Sequence, residues 1–481
     1  MGFTGALKIL GLLLIVFSTT MIPPAVIALV VRDGEFEAFF VAFAIILAAG
    51  AACYLPVRHV NRTLRTRDGF FVVTMLWVAL AIAGAVPLVL GTHVNMSFTD
   101  ASFESMSGLT TTGATVLSGI DHLPLSIRFY RQQLNWLGGM GIIVLAVAIL
   151  PMLGIGGMQL YKAEVPGPEK DKLTPRIAET SKALWYIYLA LTVACALGYW
   201  LAGMSAFDAI AHSFSTISTG GFSTHDASFG YFDNPTIDVV GSVFMILSGM
   251  NFALHYLAWR GRTLRAYWAD AEFRFYIVLL AAALAVIVMG LTQSQTLPFW
   301  GALRHGLFQL ATFTTNTGLA TTDYYHWPAD VLFTLMIMSI LGGCAGSTAG
   351  GIKMVRALLL AKQGRREVAR LIHPRSVTHV TLGGRAVADD VASGVWGFFA
   401  VYMAVFGALM LVLMTTGLDQ VTAFSAMVAT INNLGIGIGG VSTGFGSLAP
   451  LAKWALFLSM LMGRLEVFTV LVLFFPSFWR R

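Results

Sequence analysis

Apolar runs of helix length recur along the chain at about 9–31, 37–57, 70–91, 127–151, 182–203, 236–258, 274–292, 329–360, 391–416 and 450–476. Each approaches or exceeds the ~20 residues that cross a bilayer as a helix. Between them lie four shorter apolar stretches, 98–109, 206–217, 299–313 and 421–431, whose length suits re-entrant or buried helices rather than spans. The pattern predicts ten spans and four short helices. After two leading spans it resolves into one unit repeated four times: span, short helix, loop, span. The repeats are anchored at Gly113, Gly220, Gly318 and Gly435, spaced 107, 98 and 117 residues by subtraction. The expected divisions are two leading helices at 1–68 and four repeats at 69–180, 181–270, 271–388 and 389–481.

Composition agrees with this architecture. Apolar residues make up 57% of the 481 positions and charged residues 11%, where a soluble domain carries about a quarter charged. The run from about 9 to 31 is too long for a secretory signal and has no small-residue cleavage site, so it reads as a retained span. Cys53, Cys195 and Cys344 lie far apart in apolar surroundings and suggest neither a disulfide framework nor a metal site. The net charge of +6 matters through its distribution. Lys8, Arg58, Arg62, Arg65, Arg67, Lys162, Lys170, Lys172, Arg176 and Lys182 fall on one side of a ten-span topology. So do Arg260, Arg262, Arg265, Arg274, Lys353, Arg356, Lys362, Arg365, Arg366, Arg370, Arg375, Arg385, Arg480 and Arg481. These are 24 of the 30 basic residues; Arg32, Arg128, Arg131, Arg304 and Lys453 fall opposite. The positive-inside rule makes the richer side, with both termini, cytoplasmic. All four short helices then enter from outside.

Each short helix runs into a segment that joins hydroxyl or amide side chains to a central glycine. These are Thr111-Thr112-Gly113, Thr219-Gly220, Thr317-Gly318 and Asn433-Leu434-Gly435. Irregular backbone at membrane depth is tolerated only where it is buried or lines a wet cavity. Glycine lets successive carbonyls turn towards a common axis, and a ring of carbonyl oxygens can replace the hydration shell of K⁺. No carboxylate occurs in the four segments. One such loop is an ordinary turn. Four in register predict a cation-selectivity filter, with K⁺ at its backbone carbonyls.

The stretches SGLTTTGATV at 107–116, STISTGGFSTHD at 215–226, TTNTGLATTD at 314–323 and NNLGIGIG at 432–439 resemble the Trk/Ktr/HKT superfamily of potassium transporters. WLGGMGI at 136–142, GGCAGSTAGGIK at 342–353 and GRLEVFT at 463–469 share in the resemblance, and the two leading helices place it in the TrkH-like branch. Ile436 departs from the proline often found there, and Asn316 is a second departure. The resemblance implies an all-α protein of the bacterial inner membrane, with four pseudo-symmetric repeats around one pore. It also implies a homodimer regulated by a cytosolic nucleotide-binding subunit of the TrkA type. K⁺ is then the transported ion, and no organic cofactor is expected in this chain. The basic loops at 361–385 and 162–182 are candidate partner contacts.

Gly342, Gly343, Gly346, Gly350 and Gly351 interrupt the 329–360 run, and so many glycines cannot sustain a stiff helix. With the resemblance, this loop reads as a gate beneath the filter. Arg464 lies deep in the last span, where an ionisable residue signals function by default; the resemblance makes it a cationic barrier. Its rival role is an ion pair with Glu466, although residues two apart on a helix do not face each other. Asp100, Asp208 and Asp419 read as helix caps or dipole partners, and Glu104 and His212 as buried hydrogen-bonding groups. Gly435, Gly437 and Gly440 match GxGxxG but lack a surrounding βαβ unit. Cys, His and acidic residues are not grouped as in an enzyme. Uptake through a pore and sodium- or proton-coupled symport both remain open, and the scarcity of deep carboxylates favours the pore.

Overall fold

The computed structural model describes residues 3–59, 66–144, 173–374 and 379–480. Helix α1 (Phe3–Ser18) continues through a short 3-10 turn into α2 (Ile22–Val31), and α3 (Phe36–Tyr54) returns beside it. These leading helices touch through glycines. A Cβ on Gly11 would stand 2.6 Å from the Tyr54 nitrogen, and one on Gly50 2.8 Å from that of Ile15. Without a hydrophobic driving force between helices in lipid, such small residues let backbones pack closely.

The first repeat comprises α4 (Thr66–Leu90), the short α5 (Phe98–Leu109) and α6 (Leu125–Val144). The second comprises α7 (Leu173–Leu201), the short α8 (Ala206–Ser218), α9 (Pro235–Ser248) and α10 (Phe252–Gly261), followed by a connecting turn α11 (Arg265–Ala269). In the third, α12 (Ala271–Gln293) and the short α13 (Phe299–Thr314) precede α14 (Ala329–Leu341) and α15 (Met354–Ile372). A hairpin of β1 (Thr381–Leu382) and β2 (Arg385–Ala386) follows, paired antiparallel with Thr381 opposite Ala386. The fourth repeat has α16 (Asp389–Thr415), the short α17 (Gln420–Ile431), α18 (Pro450–Arg464) and α19 (Val467–Leu471), and α20 (Pro476–Trp479) ends the described chain.

Among the described residues, six helical stretches are long and apolar enough to cross a membrane, and two bent pairs raise the number to eight. The bends are 96° between α9 and α10 and 117° between α18 and α19. Two of the ten expected runs, 127–151 and 329–360, are not among these eight. Helix α6 is described only to Val144, and that part is polar because it buries Arg131, Gln132, Gln133 and Asn135 against protein. Arg131, counted on the outer side, thus sits inside the protein. The 329–360 run stops at Leu341 and resumes at Met354. Positions 145–151 of the fourth expected span, and Arg62, Arg65, Lys162, Lys170, Lys172, Arg375 and Arg481 of the expected basic face, lie outside the described residues.

The distribution of polarity is that of a membrane protein. Val30, Leu201, Trp300, Phe333 and Leu411 are exposed, whereas Ser107, Thr112, Thr216, Asn316, Thr317 and Asn432 are buried. Such an interior must satisfy its own polar groups. The short helices start accordingly. Ser97 accepts the Asp100 N–H at 3.2 Å and donates its hydroxyl to the Asp100 carboxylate at 2.8 Å. Ser205 and Asp208 repeat this arrangement at 3.0 and 2.7 Å. Asp100 and Asp208 are therefore third-position partners of the caps, bonded through the serine hydroxyls, and the serines are the caps. Asp419 is itself the cap, accepting the N–H groups of Val421 and Thr422, each at 3.1 Å.

Candidate functional site

All four short helices end the same way. Thr112, Gly220, Thr317 and Leu434 each donate their N–H to the carbonyl five residues back, on Ser107, Ser215, Thr312 and Ala429, at 2.8 Å in every case. The preceding residues Thr111, Thr219, Asn316 and Asn433 sit in the left-handed region, with φ of 52, 54, 55 and 57°. This is the Schellman termination, which normally uses glycine at the left-handed position. Threonine there is a strained choice, and such strain gathers at functional segments. The next left-handed residues are Gly113, Gly221, Gly318 and Gly435, with φ of 79, 76, 85 and 83°. The second anchor therefore shifts by one. Gly220 occupies the place of Thr112, Thr317 and Leu434, and Gly221 is the counterpart of Gly113. The backbone decides this, because Gly220 lacks the positive φ shared by the other three anchors.

The four loops close a ring. A Cβ on Gly113 would strike the Gly220 carbonyl oxygen, one on Gly221 that of Thr317, one on Gly318 that of Leu434 and one on Gly435 that of Thr112. Each glycine thus faces the carbonyl one residue before its counterpart in the next repeat, and the fourth returns to the first. Hydrogen bonds join every adjacent pair of repeats. The Arg131 guanidinium donates to the Ser223 carbonyl at 3.1 Å, and the Ala320 N–H to the Ser228 hydroxyl at 3.2 Å. Asn316 donates its amide to the Asn432 carbonyl at 2.7 Å, and Asn433 donates its own to the Thr112 hydroxyl at 3.0 Å.

Residues 342–353 lie at the C-terminal ends of these short helices. The Thr348 hydroxyl donates to the Ile217 carbonyl at 3.0 Å, and a Cβ on Gly350 would strike the Asn432 carbonyl oxygen. Gly342, Gly346 and Gly351 have φ of 74, 70 and 76°. Gly343 approaches the Gly249 carbonyl, where a Cβ would stand at 2.9 Å. One buried carboxylate holds both ends of the loop: Glu272 accepts the N–H groups of Ala345 and Val355 at 2.8 and 2.9 Å. Arg464 reaches the same loop, donating to the Thr348 carbonyl at 3.1 Å, while its Nε and Nη2 atoms have no protein partner. The rival ion pair with Glu466 is not formed. Glu466 accepts instead from Arg356 at 2.7 Å, because its left-handed φ of 58° starts a new helix past the 117° bend.

A family model described as a cation transport protein, TrkH, matches residues 35–481. The chain belongs to the TrkH family. The Trk system potassium uptake protein TrkH of Halomonas elongata is 52% identical over 476 residues, covering 99% of each chain. Its counterpart in Escherichia coli K12 is 51% identical over 485 residues and the full length of both. The crystal structure of the potassium transporter TrkH from Vibrio parahaemolyticus superimposes with a TM-score of 0.93 at 50% identity, covering 100% of both chains. This TrkH-family chain is accordingly a multi-span transport protein of the membrane and not an enzyme.

Several residues of this TrkH-family site carry no single-residue signal. Gly221 is hidden in a Gly-Gly pair, yet aligning the loops on the Thr or Asn two positions before each glycine would have found it. Glu272 lies outside every motif. The STHD stretch carries a cluster at the mouth of the ring. His225 hydrogen-bonds Asp121 of the first repeat at 2.5 Å and stands 3.4 Å from Asp208. Its ring stacks on Tyr231 at 3.5 Å, and the Asp121 and Asp226 carboxylates exchange bonds with each other's N–H. Burial opposes the charge on His225, but bonds to Asp208 and Asp121 outweigh it and raise the imidazole above its ordinary value. Asp121 and Asp208 are depressed in turn: desolvation works against this, and the bonds to His225 prevail.

Proposed function

We propose that this protein carries potassium into the cell through a filter made by the four loops. The observation that carries the reading is the closed ring of Gly113, Gly221, Gly318 and Gly435 against the carbonyls of Gly220, Thr317, Leu434 and Thr112. Backbone carbonyls at one level suit a dehydrated K⁺. The short helices direct their partial negative C-terminal ends to the space below, where a cation is stabilised. The names of the Halomonas and Escherichia relatives support potassium as the ion.

The loop at 342–353 acts as the gate. Support comes from its place against Ile217 and Asn432, at the ends of two short helices. Arg464 is the cationic barrier, because it keeps two donors unpaired beside the gate loop. Charge distribution supports a cytoplasmic location for both termini and for the gate side. The family resemblance supports a homodimer in the bacterial inner membrane, with a TrkA-type nucleotide-binding subunit moving the gate. Downhill conduction is favoured over sodium- or proton-coupled symport, because the four filter segments contain no carboxylate.

Flux through proteoliposomes containing only this protein tests the reading, comparing K⁺, Rb⁺ and Na⁺ with a Gly113→Asp variant. Potassium-selective downhill flux that the variant abolishes or renders unselective is expected. Flux indifferent both to the ion and to Gly113 would overturn it.

A further inference from the structure

The position nine residues before the filter glycine holds Glu104, His212, Gln309 and Ala426 in the four repeats, by subtraction. Only the first carries a carboxylate, and it is completely buried, as is Arg131. Two charges so deep in a protein are costly unless every lone pair and proton finds a partner. Apart from each other, the partners of this pair belong to the stretches just past the filter glycines. Glu104 accepts the Arg131 Nε–H at 2.8 Å and the Val116 N–H at 2.9 Å. The Thr115 hydroxyl donates to Glu104 at 2.9 Å and accepts from Arg131 Nη2 at 3.1 Å. The third arm of the guanidinium, Nη1, crosses to the second repeat and donates to the Ser223 carbonyl at 3.1 Å. The Phe222 ring lies beneath it, 4.2 Å from Cζ to centroid.

Thr115 is two residues past Gly113, and Ser223 is two residues past Gly221. One rigid fork therefore holds equivalent points on adjacent loops. At the other three joints the loop-to-loop bonds named above are between neutral groups, Ala320 with Ser228, Asn316 with Asn432, and Asn433 with Thr112. The ion pairs Arg304–Asp238, Arg356–Glu466 and Lys453–Asp100 join those repeats through other elements. The planar guanidinium is suited to this task because its donors have fixed mutual directions.

We propose that Arg131, oriented by Glu104, is a positioning residue for the filter: it fixes the first and second loops relative to each other and thereby sets discrimination among cations. This rests on the reading of the loops as the filter. Arg131 touches no ion in this account and acts through Thr115 and Ser223. A lysine at this position keeps the charge and can pair with Glu104, but one ammonium cannot reach all three acceptors.

The test measures K⁺, Rb⁺ and Na⁺ flux and thermal stability of purified Arg131→Lys, Thr115→Val and Gly221→Ala proteins in liposomes. Thr115→Val preserves shape and both charges, so it remains informative if Arg131→Lys does not fold. The expected result is a drop of about tenfold in K⁺ over Na⁺ preference, the scale of one charge-assisted hydrogen bond, in each folded clamp variant. Folded clamp variants that are less stable but keep the wild-type ion preference would overturn the proposal, the pair then being merely structural. If that happens while Gly221→Ala loses selectivity, the clamp fails and the filter stands. If Gly221→Ala also keeps its selectivity, both fail.

Discussion

Replacing Gly221 by alanine separates the backbone register from the sequence pattern. Gly221 has φ of 76°, and its Cβ would strike the Thr317 carbonyl oxygen. The left-handed conformation alone costs an L-residue about 1–2 kcal/mol. Each 1.4 kcal/mol is about a tenfold change in an equilibrium constant. The loop relieves that strain only by displacing the Thr317 carbonyl, an oxygen assigned to the ion, so K⁺ over Na⁺ preference is expected to fall by about tenfold or more. Gly220→Ala meets a different obstacle. Its Cβ would stand 2.5 Å from the Asn135 amide and 2.7 Å from the Asn135 Cβ, so its three nearest atoms all belong to that one side chain. Adding Asn135→Gly, which removes that Cβ as well as the amide, is therefore expected to restore Gly220→Ala but not Gly221→Ala. Proteoliposome flux with paired K⁺ and Na⁺ gradients reads both. Intact selectivity in Gly221→Ala, with Gly220→Ala beyond rescue, would refute the register.

Three further predictions concern the gate, the mouth and a helix start. Arg464→Ala removes the bond to the Thr348 carbonyl and a charge beside the pathway. Basal K⁺ flux without any partner is expected to rise by about tenfold, the scale of a charge-assisted bond, and unchanged flux would dismiss the barrier. His225 has a raised value, so its contribution is full below the ordinary 6.5 and is lost as pH rises through the raised value. Asp121 and Asp208 are depressed below 3.8, so theirs is present above it and lost as pH falls through the lowered values. The cluster is thus strongest between those two ordinary values, and wild-type protein should melt higher at about pH 6 than at about pH 8.5, by linkage. His225 also faces His212 and Asp226, so the control is His225→Gln, in which that difference shrinks; an unchanged difference would place its origin elsewhere. Asp419→Ala loses the cap on α17 and should cost about 1 kcal/mol, seen as a lower melting temperature with ion preference retained.

The fourfold plan was legible because two periodicities coincide. Apolar runs too short to span alternate with runs that do, and each short run leads into a Thr or Asn two residues before a glycine. Lipid imposes this signal, since every spanning or re-entrant backbone must be helical or buried. The details that were not legible depend on contacts across hundreds of residues. Arg131, Gln132, Gln133 and Asn135 interrupt the apolar sequence of the run at 127–151, and only the packed structure shows that protein surrounds them. Glu466 is the acid nearest Arg464 in sequence, yet a left-handed residue at a sharp bend sends it to Arg356. Gly220 and Gly221 are indistinguishable as letters and differ only in backbone conformation. Arg131 counts only as an outer-side charge in a topology tally, whereas its donors end on Glu104, Thr115 and Ser223.

The central claim is that the four loops hold the permeating ion. Rubidium, a heavier stand-in for potassium with a usable anomalous signal, locates it directly when crystals of this protein are grown in its salts. The account predicts anomalous density inside the ring formed by the Thr112, Gly220, Thr317 and Leu434 carbonyls, weakened in Gly221→Ala. Rubidium bound only elsewhere, in protein that transports it selectively, would contradict the account.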